Sequence, residues 1–228
     1  MQEARHDSSK SNFQIDRITA FTDGVFAIAI TLLVIEIRVP ELHDKTDEAL
    51  WDRLSEMALI FLGFIISFGI IGHYWSVHHR IFGYVNKYTS NLIWINLAFL
   101  LSVVLLPFSS GLFGVYGTYI NMNIPYIIYV ANMALVGLMN ILLWGYVSKP
   151  SRKILTHEIS PSRIRLGIYR SLVVPIILII SLLVSFILPV FARFIPFTIP
   201  LVLHYGMRRL ERKADNDPLK TQTTNSTK

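Results

Sequence analysis

Cysteine is absent from all 228 residues. That excludes a disulfide framework, thiolate chemistry and cysteine-ligated metal sites. Charge is also scarce: Asp, Glu, Lys and Arg make up 16% of the chain, where a soluble domain carries about a quarter. Signatures of intramembrane catalysis are missing, with no Gly-x-Ser-x-Gly, no His-Glu-x-x-His and no pair of aspartates within an apolar run. No Gly-x-x-x-x-Gly-Lys phosphate loop occurs either. A carbonyl-lined potassium filter needs a Thr-Val-Gly-Tyr-Gly loop. The segment Gly114-Val115-Tyr116-Gly117 has the wrong order for one. The first residues, Met1 to Asn12, are polar and carry no apolar h-region, so no cleavable signal is expected. Together these absences point away from an enzyme.

What the chain does have is apolar length. Hydrophobic residues make up 53% of it, mean hydropathy is +0.49, and runs of about 18 or more apolar residues recur, enough to span a bilayer. The expected fold is all-α: a polytopic membrane protein with six transmembrane helices, at 18–37, 56–77, 91–116, 124–147, 164–188 and 190–205. Residues 166–205 are almost continuously apolar, and Pro189 and Arg193 mark the expected hairpin between the last two spans. Pro196 and Pro200 should leave the sixth helix short or kinked.

The connecting segments alternate in charge. The N-terminal arm holds Arg5, Lys10 and Arg17, and the segment 40–52 holds Glu41, Asp44, Asp47, Glu48 and Asp52 against Lys45 alone. Arg80 and Lys87, then Lys149, Arg152, Lys153, Arg163 and Arg165, and finally Arg208, Arg209, Arg212 and Lys213 lie on the other side. This is the positive-inside pattern of a chain with both termini in the cytoplasm. It divides into a cytoplasmic arm at 1–16, a six-helix unit at 17–207 and a basic, then disordered, cytoplasmic tail at 208–228. The net charge of +6 is accordingly assigned to anionic lipid and not to nucleic acid.

Polar residues inside the spans need partners. Arg17 and Asp23 stand six residues apart at the mouth of the first apolar run. Ionisable groups cost about 2.5–3.5 kcal/mol at the centre of a membrane helix and less near its ends. A network is expected to join Arg17, Thr22 and Asp23 to Trp75 and to His78 or His79 on the second helix, and to an asparagine of the third, Asn96; separate interhelical hydrogen bonds would meet the same need. His73 and His78 are five apart and share no helix face well, so no metal site is assigned. Ile28, Thr31, Leu32 and Ile35 recur at i, i+3, i+4 and i+7 and form one stripe. It is either a core stripe or the lining of a pathway. On the residues alone, channel, carrier and structural membrane protein stay open.

Arg-x-x-x-Phe-Thr-Asp, here Arg17, Phe21, Thr22 and Asp23, continues into Gly-Val-Phe-Ala-Ile-Ala-Ile-Thr-Leu-Leu. This resembles the first-helix signature of the transmembrane-protein-175 family, the endosomal and lysosomal potassium channels and their bacterial relatives. Thr22 stands where that family usually has serine, which keeps the hydroxyl. Trp75-Ser76-Val77-His78-His79-Arg80-Ile81-Phe82 is similar to the end of the family's second helix.

The resemblance implies a bacterial-type, single-repeat homotetramer in a prokaryotic plasma membrane, with four first helices around a central pore. It implies passive conduction of K+, weakly preferred over Na+, with no cofactor and with lipid and further copies of the chain as partners. Ile28, Thr31 and Ile35 would be pore-facing layers with Leu32 beside them, and Ile28 and Ile35 would form the hydrophobic constriction. Arg17, Phe21, Thr22 and Asp23 would hold the first helix in place. A proton-coupled carrier, or a proton leak, would instead use Asp23 and a second-helix histidine as a titrating pair.

Overall fold

The computed structural model describes residues 2–117, 119, 122–155, 159–206, 208, 210 and 212, with side chains for all of these except 2–12 and 59. Of the tail expected at 208–228, the stretch from 213 onward lies outside the described residues. Helix α1 runs Gln2–Ile35, so the first membrane helix reaches back through most of the segment 1–16. A short α2, Asp47–Glu56, leads into α3, Ala58–Phe82. Then come α4, Ser90–Val104, α5, Leu106–Tyr116, α6, Ile124–Val147, and α7, Pro161–Ser185. The chain closes on α8, Pro189–Ala192, a 3₁₀ turn at Ile195–Phe197, α9, Thr198–Leu201, and a wide turn at Val202–Gly206.

Local chemistry explains the boundaries. Thr46 caps α2 through Oγ1, which accepts from Ala49 N at 3.2 Å, and Asp47 and Glu48 sit in its first turn, against the positive end of the helix dipole. The acidic connection 40–52 therefore ends in helix. Thr89 caps α4, and Ser160 with Pro161 opens α7. The span expected at 91–116 is divided at Leu105, just before Pro107. The proline ring crowds the carbonyl four residues back and supplies no N–H, so the regular helix is interrupted there.

Among the described residues, five stretches are long and apolar enough to cross a bilayer: Phe13–Ile35, Ile60–Phe82, Ser90–Tyr116, Ile124–Val147 and Pro161–Ser185. The sixth expected span, 190–205, is not one helix. Pro189, Pro196 and Pro200 break it into α8, the 3₁₀ turn and α9. Exposed backbone cannot be left unsatisfied in hydrocarbon, and these pieces lie against α7. The freed carbonyl of Ala192 accepts the Ser181 hydroxyl, and the Tyr126 hydroxyl donates to Ser181 Oγ. The broken segment is thereby tied to α6 and α7.

Proline is handled differently inside α7. Pro175 cannot donate to the carbonyl of Ser171, yet α7 continues through it. Tyr74 of α3 fills the vacancy: its hydroxyl donates to Ser171 O at 3.2 Å. Gly137 of α6 lies against the same spot, where a Cβ would meet the Pro175 ring, the Ser171 carbonyl and the Tyr74 hydroxyl. Three helices thus close around one proline. Two apolar clusters flank this level, one built on Phe26, Leu33, Ile71, Phe99, Met133 and Leu178, the other on Ile15, Ile81, Leu92, Leu143 and Ile154.

Tyr74→Phe should lower stability by about 1–2 kcal/mol, because it strands a buried carbonyl. In a Pro175→Ala background the new N–H takes that carbonyl, and the cost of Tyr74→Phe should shrink to near zero. Thermal unfolding of the four variants in detergent measures the coupling; equal costs in both backgrounds would separate the tyrosine from the proline.

Candidate functional site

Helix α1 is two-faced. Ile15, Thr22, Phe26, Ala29 and Leu33 are buried and recur at helical spacing, facing α3, α4 and α5. Ile28 and Ile35 lie on the opposite side, 61% and 67% exposed, with Thr31 exposed between them and Leu32 at the margin. Ala20, Gly24 and Ala27 continue the exposed face. Thr31 Oγ1 donates its proton within the helix, lying 2.9 Å from the carbonyls of Ala27 and Ile28. Its oxygen lone pairs are left for whatever meets this face.

On the buried face, one amide joins three helices. Asn96 of α4 donates from Nδ2 to Thr22 Oγ1 at 3.0 Å, and its Oδ1 accepts from His78 Nε2 of α3 at 2.8 Å. Thr22, His78 and Asn96 are respectively 0%, 1% and 2% exposed. The imidazole is stacked on Phe82, centroids 4.4 Å apart, and on Phe99, at 5.4 Å with rings almost parallel. Its plane and its proton position are fixed by packing and by Asn96 together.

A second pair stands nearer the surface. Trp75 Nε1 donates to Asp23 Oδ1 at 2.9 Å, and the Trp75 ring lies 5.7 Å from His79. His78 is therefore the histidine of the buried chain, and His79 belongs to the exposed tryptophan. Arg17 and Phe21 enter neither arrangement. Arg17 and Phe21 are on the outward face, Phe21 57% exposed and the Arg17 guanidinium 5.8 Å from the Phe13 ring, and no ion pair joins Arg17 to Asp23. The Arg17-to-Asp23 motif is thus divided by helical rotation, with Thr22 inward, Asp23 at the flank, and Arg17 and Phe21 outward. The third histidine, His73, meets the Arg170 carbonyl through Nε2 at 3.1 Å. Among the described residues no three metal-binding side chains converge.

Sequence reasoning missed a deeper polar level. Ser67 of α3 shares hydrogen bonds with Ser110 of α5 at 2.8 Å and with Tyr129 of α6 at 3.0 Å. Asn132 Nδ2 donates to Ser109 Oγ, and Asn140 Nδ2 to Ser171 Oγ. Asn132 and Asn140 stand out in the sequence as polar groups in apolar helices. Their serine partners do not, because serine is common in membrane helices and satisfies itself on the backbone.

Residues 17–107 match the family model described as endosomal/lysosomal potassium channel TMEM175. The chain is 33% identical over 136 residues to a potassium channel of Chamaesiphon minutus, a match covering 60% of this chain and 67% of that one. It belongs to the TMEM175 family. A potassium channel of Streptomyces collinus is 37% identical over 100 residues, 44% of this chain and 48% of that protein. The chain thus matches about half the length of some curated relatives. The crystal structure of a lysosomal potassium-selective channel TMEM175 homolog from Chamaesiphon minutus superposes with a TM-score of 0.70 at 26% identity, over 86% of this chain and 97% of that one. The TMEM175 match runs from α1 into α5. It contains the whole chain from Thr22 through Asn96 to His78, and the Asp23–Trp75 pair.

Asn96→Leu should cost about 1–3 kcal/mol, since it leaves Thr22 and His78 without their shared partner in a dry interior. Asn91→Leu, at an exposed position on the same helix, should cost almost nothing. Melting curves in detergent compare the two; equal losses would remove Asn96 from its bridging role.

Proposed function

We propose that this chain is the subunit of a passive, potassium-conducting homotetramer whose pore is lined by the outward face of α1. The observation that carries the reading is the row Ile28, Thr31 and Ile35, turned away from the face that Thr22, Phe26 and Leu33 bury. Small residues on that face, Ala20, Gly24 and Ala27, suit the close approach of another helix better than they suit lipid. The names of the bacterial relatives, potassium channels, support the same reading.

Four copies of α1 would stack an isoleucine ring at Ile28, a hydroxyl ring at Thr31 and a second isoleucine ring at Ile35, with Leu32 backing them. Apolar rings exclude water and raise a dehydration barrier that favours the less tightly hydrated cation, K+ over Na+. Because Thr31 spends its proton on its own helix, its oxygen meets a cation as an acceptor, a site weak enough to release the ion. Arg17 and Phe21 would face the neighbouring subunit at the cytoplasmic mouth. The acidic segment with Glu41, Asp44, Asp47, Glu48 and Asp52 would raise the cation concentration at the outer mouth. Both termini would lie in the cytoplasm of a prokaryotic cell, and no cofactor takes part. The carrier reading has less support, since Asp23 pairs with Trp75 while His78 pairs with Asn96.

Proteoliposomes holding the purified protein should discharge an imposed K+ gradient faster than a Na+ gradient, without a coupled proton gradient. Ile28→Asn or Ile35→Asn should raise flux or relax selectivity, and Thr31→Ala should shift the K+/Na+ ratio. Ratios and rates unchanged in all three would take α1 out of the pore. Flux that requires a proton gradient and vanishes in Asp23→Asn would establish the carrier.

A further inference from the structure

The bundle end that carries α2 has a groove with no role in the reading above. It lies between the start of α3, the end of α5, the start of α6 and the broken segment after α7. Its wall is apolar: Leu62, Ile66, Phe113 and Phe197, with the rings of Tyr126 and Tyr129. Both tyrosine hydroxyls are engaged inside the protein, by Ser181 and Ser67.

Two helical glycines, Gly63 and Gly114, are among its lining residues. A Cβ on Gly63 would meet nothing within 4 Å, and one on Gly114 would touch only an Ile60 methyl at 3.5 Å. Glycine within a helix costs about 1 kcal/mol relative to alanine. Gly137 and Gly167 have a packing reason, since a Cβ there would collide with Pro175 and with Trp144. No neighbour within the described chain supplies such a reason for Gly63, and the space above it faces the groove.

Arg193 forms the polar edge. It lines the groove together with Tyr126, is half-buried, and has no carboxylate partner among the described residues. Glu36 reaches the same end of the bundle but lies over Gly111. A guanidinium at the margin of a hydrocarbon span calls for an anion, and it matches phosphate in bidentate geometry. An arginine with no carboxylate partner among the described residues, above an apolar slot, is the outline of an anionic amphiphile.

We propose that this groove binds an anionic glycerophospholipid of the adjacent leaflet, its phosphate on Arg193 and one acyl chain between α3 and α5. The site rests on the placement of the helices in a bilayer and not on conduction. A bound lipid would seal the gap that the proline breaks leave where a sixth continuous helix would otherwise pack. It would also supply Arg193 with the counter-charge that the described chain does not.

Native mass spectrometry of the full-length protein, titrated in detergent with phosphatidylglycerol, phosphatidylcholine or palmitate, tests this. Wild type should retain phosphatidylglycerol in preference to the other two. Arg193→Gln should weaken that retention about tenfold, with Arg193→Lys intermediate. Gly63→Leu, which fills open space, should lower retention of phosphatidylglycerol and phosphatidylcholine alike. Arg38→Gln, at an exposed cation of the same end, should change nothing. Each variant is accepted only with the wild-type gel-filtration profile, so that lost binding is not lost folding. Equal retention by wild type and Arg193→Gln, an equal loss in Arg38→Gln, or displacement of the phospholipid by palmitate at equal concentration would overturn the proposal.

Discussion

The amide of Asn96 determines how the first helix is turned. It receives the His78 proton and gives its own to Thr22, so one planar group connects α1, α3 and α4. In hydrocarbon there is no water to take over either bond. Rotating α1 about its axis would break the contact and bury the wrong face. With Thr22 held inward, Phe26, Ala29 and Leu33 enter the core and Ile28, Thr31 and Ile35 are turned out. The apolar stripe owes its exposure to a polar contact on the far side of the same helix.

The same need for internal satisfaction governs the prolines. Pro175 leaves the Ser171 carbonyl vacant, and Tyr74 reaches it from another helix. The breaks around Pro189 and Pro196 leave the Ala192 carbonyl, which Ser181 takes in turn. A proline in a membrane helix is tolerated when a neighbour replaces the lost donor. Where one neighbour suffices the helix continues, as in α7; where three prolines fall within about a dozen residues it falls into short pieces. The groove beside Arg193 is a by-product of that second outcome. Its apolar wall, and an arginine with no carboxylate partner among the described residues, give it an amphiphilic character that a simple packing defect lacks.

Helix-to-helix contact in this bundle uses close approach as much as polar pairing. Gly137 admits the Pro175 ring, and Gly167 admits the Trp144 indole, whose Nε1 donates to the Ile164 carbonyl at 2.9 Å. With lipid as apolar as the side chains, burial supplies little drive to association, and packing density together with hydrogen bonds supplies most of it.

Much of this was legible along the chain. Hydropathy placed the spans within a few residues, because transfer from water to hydrocarbon is close to additive over residues, and the fourth span matches α6 at both ends. Periodicity alone found the stripe Ile28, Thr31, Leu32 and Ile35, and the cost of polar groups in lipid singled out Thr22, Asp23, Trp75, Asn96 and the two histidines. Partnership was another matter. Whether His78 or His79 would be buried, and that Arg17 and Phe21 would face away from Thr22, depended on the rotation of each helix against its neighbours. The serines that complete the inner polar level, and the dissolution of the sixth span into turns, were likewise hidden. The sequence by itself determined which segments enter the membrane and which residues there need a partner, since both follow from the solvation of each residue taken singly. Only the tertiary structure decided which partner each one found, because a hydrogen bond between helices depends on a distance of about 3 Å that no single segment encodes.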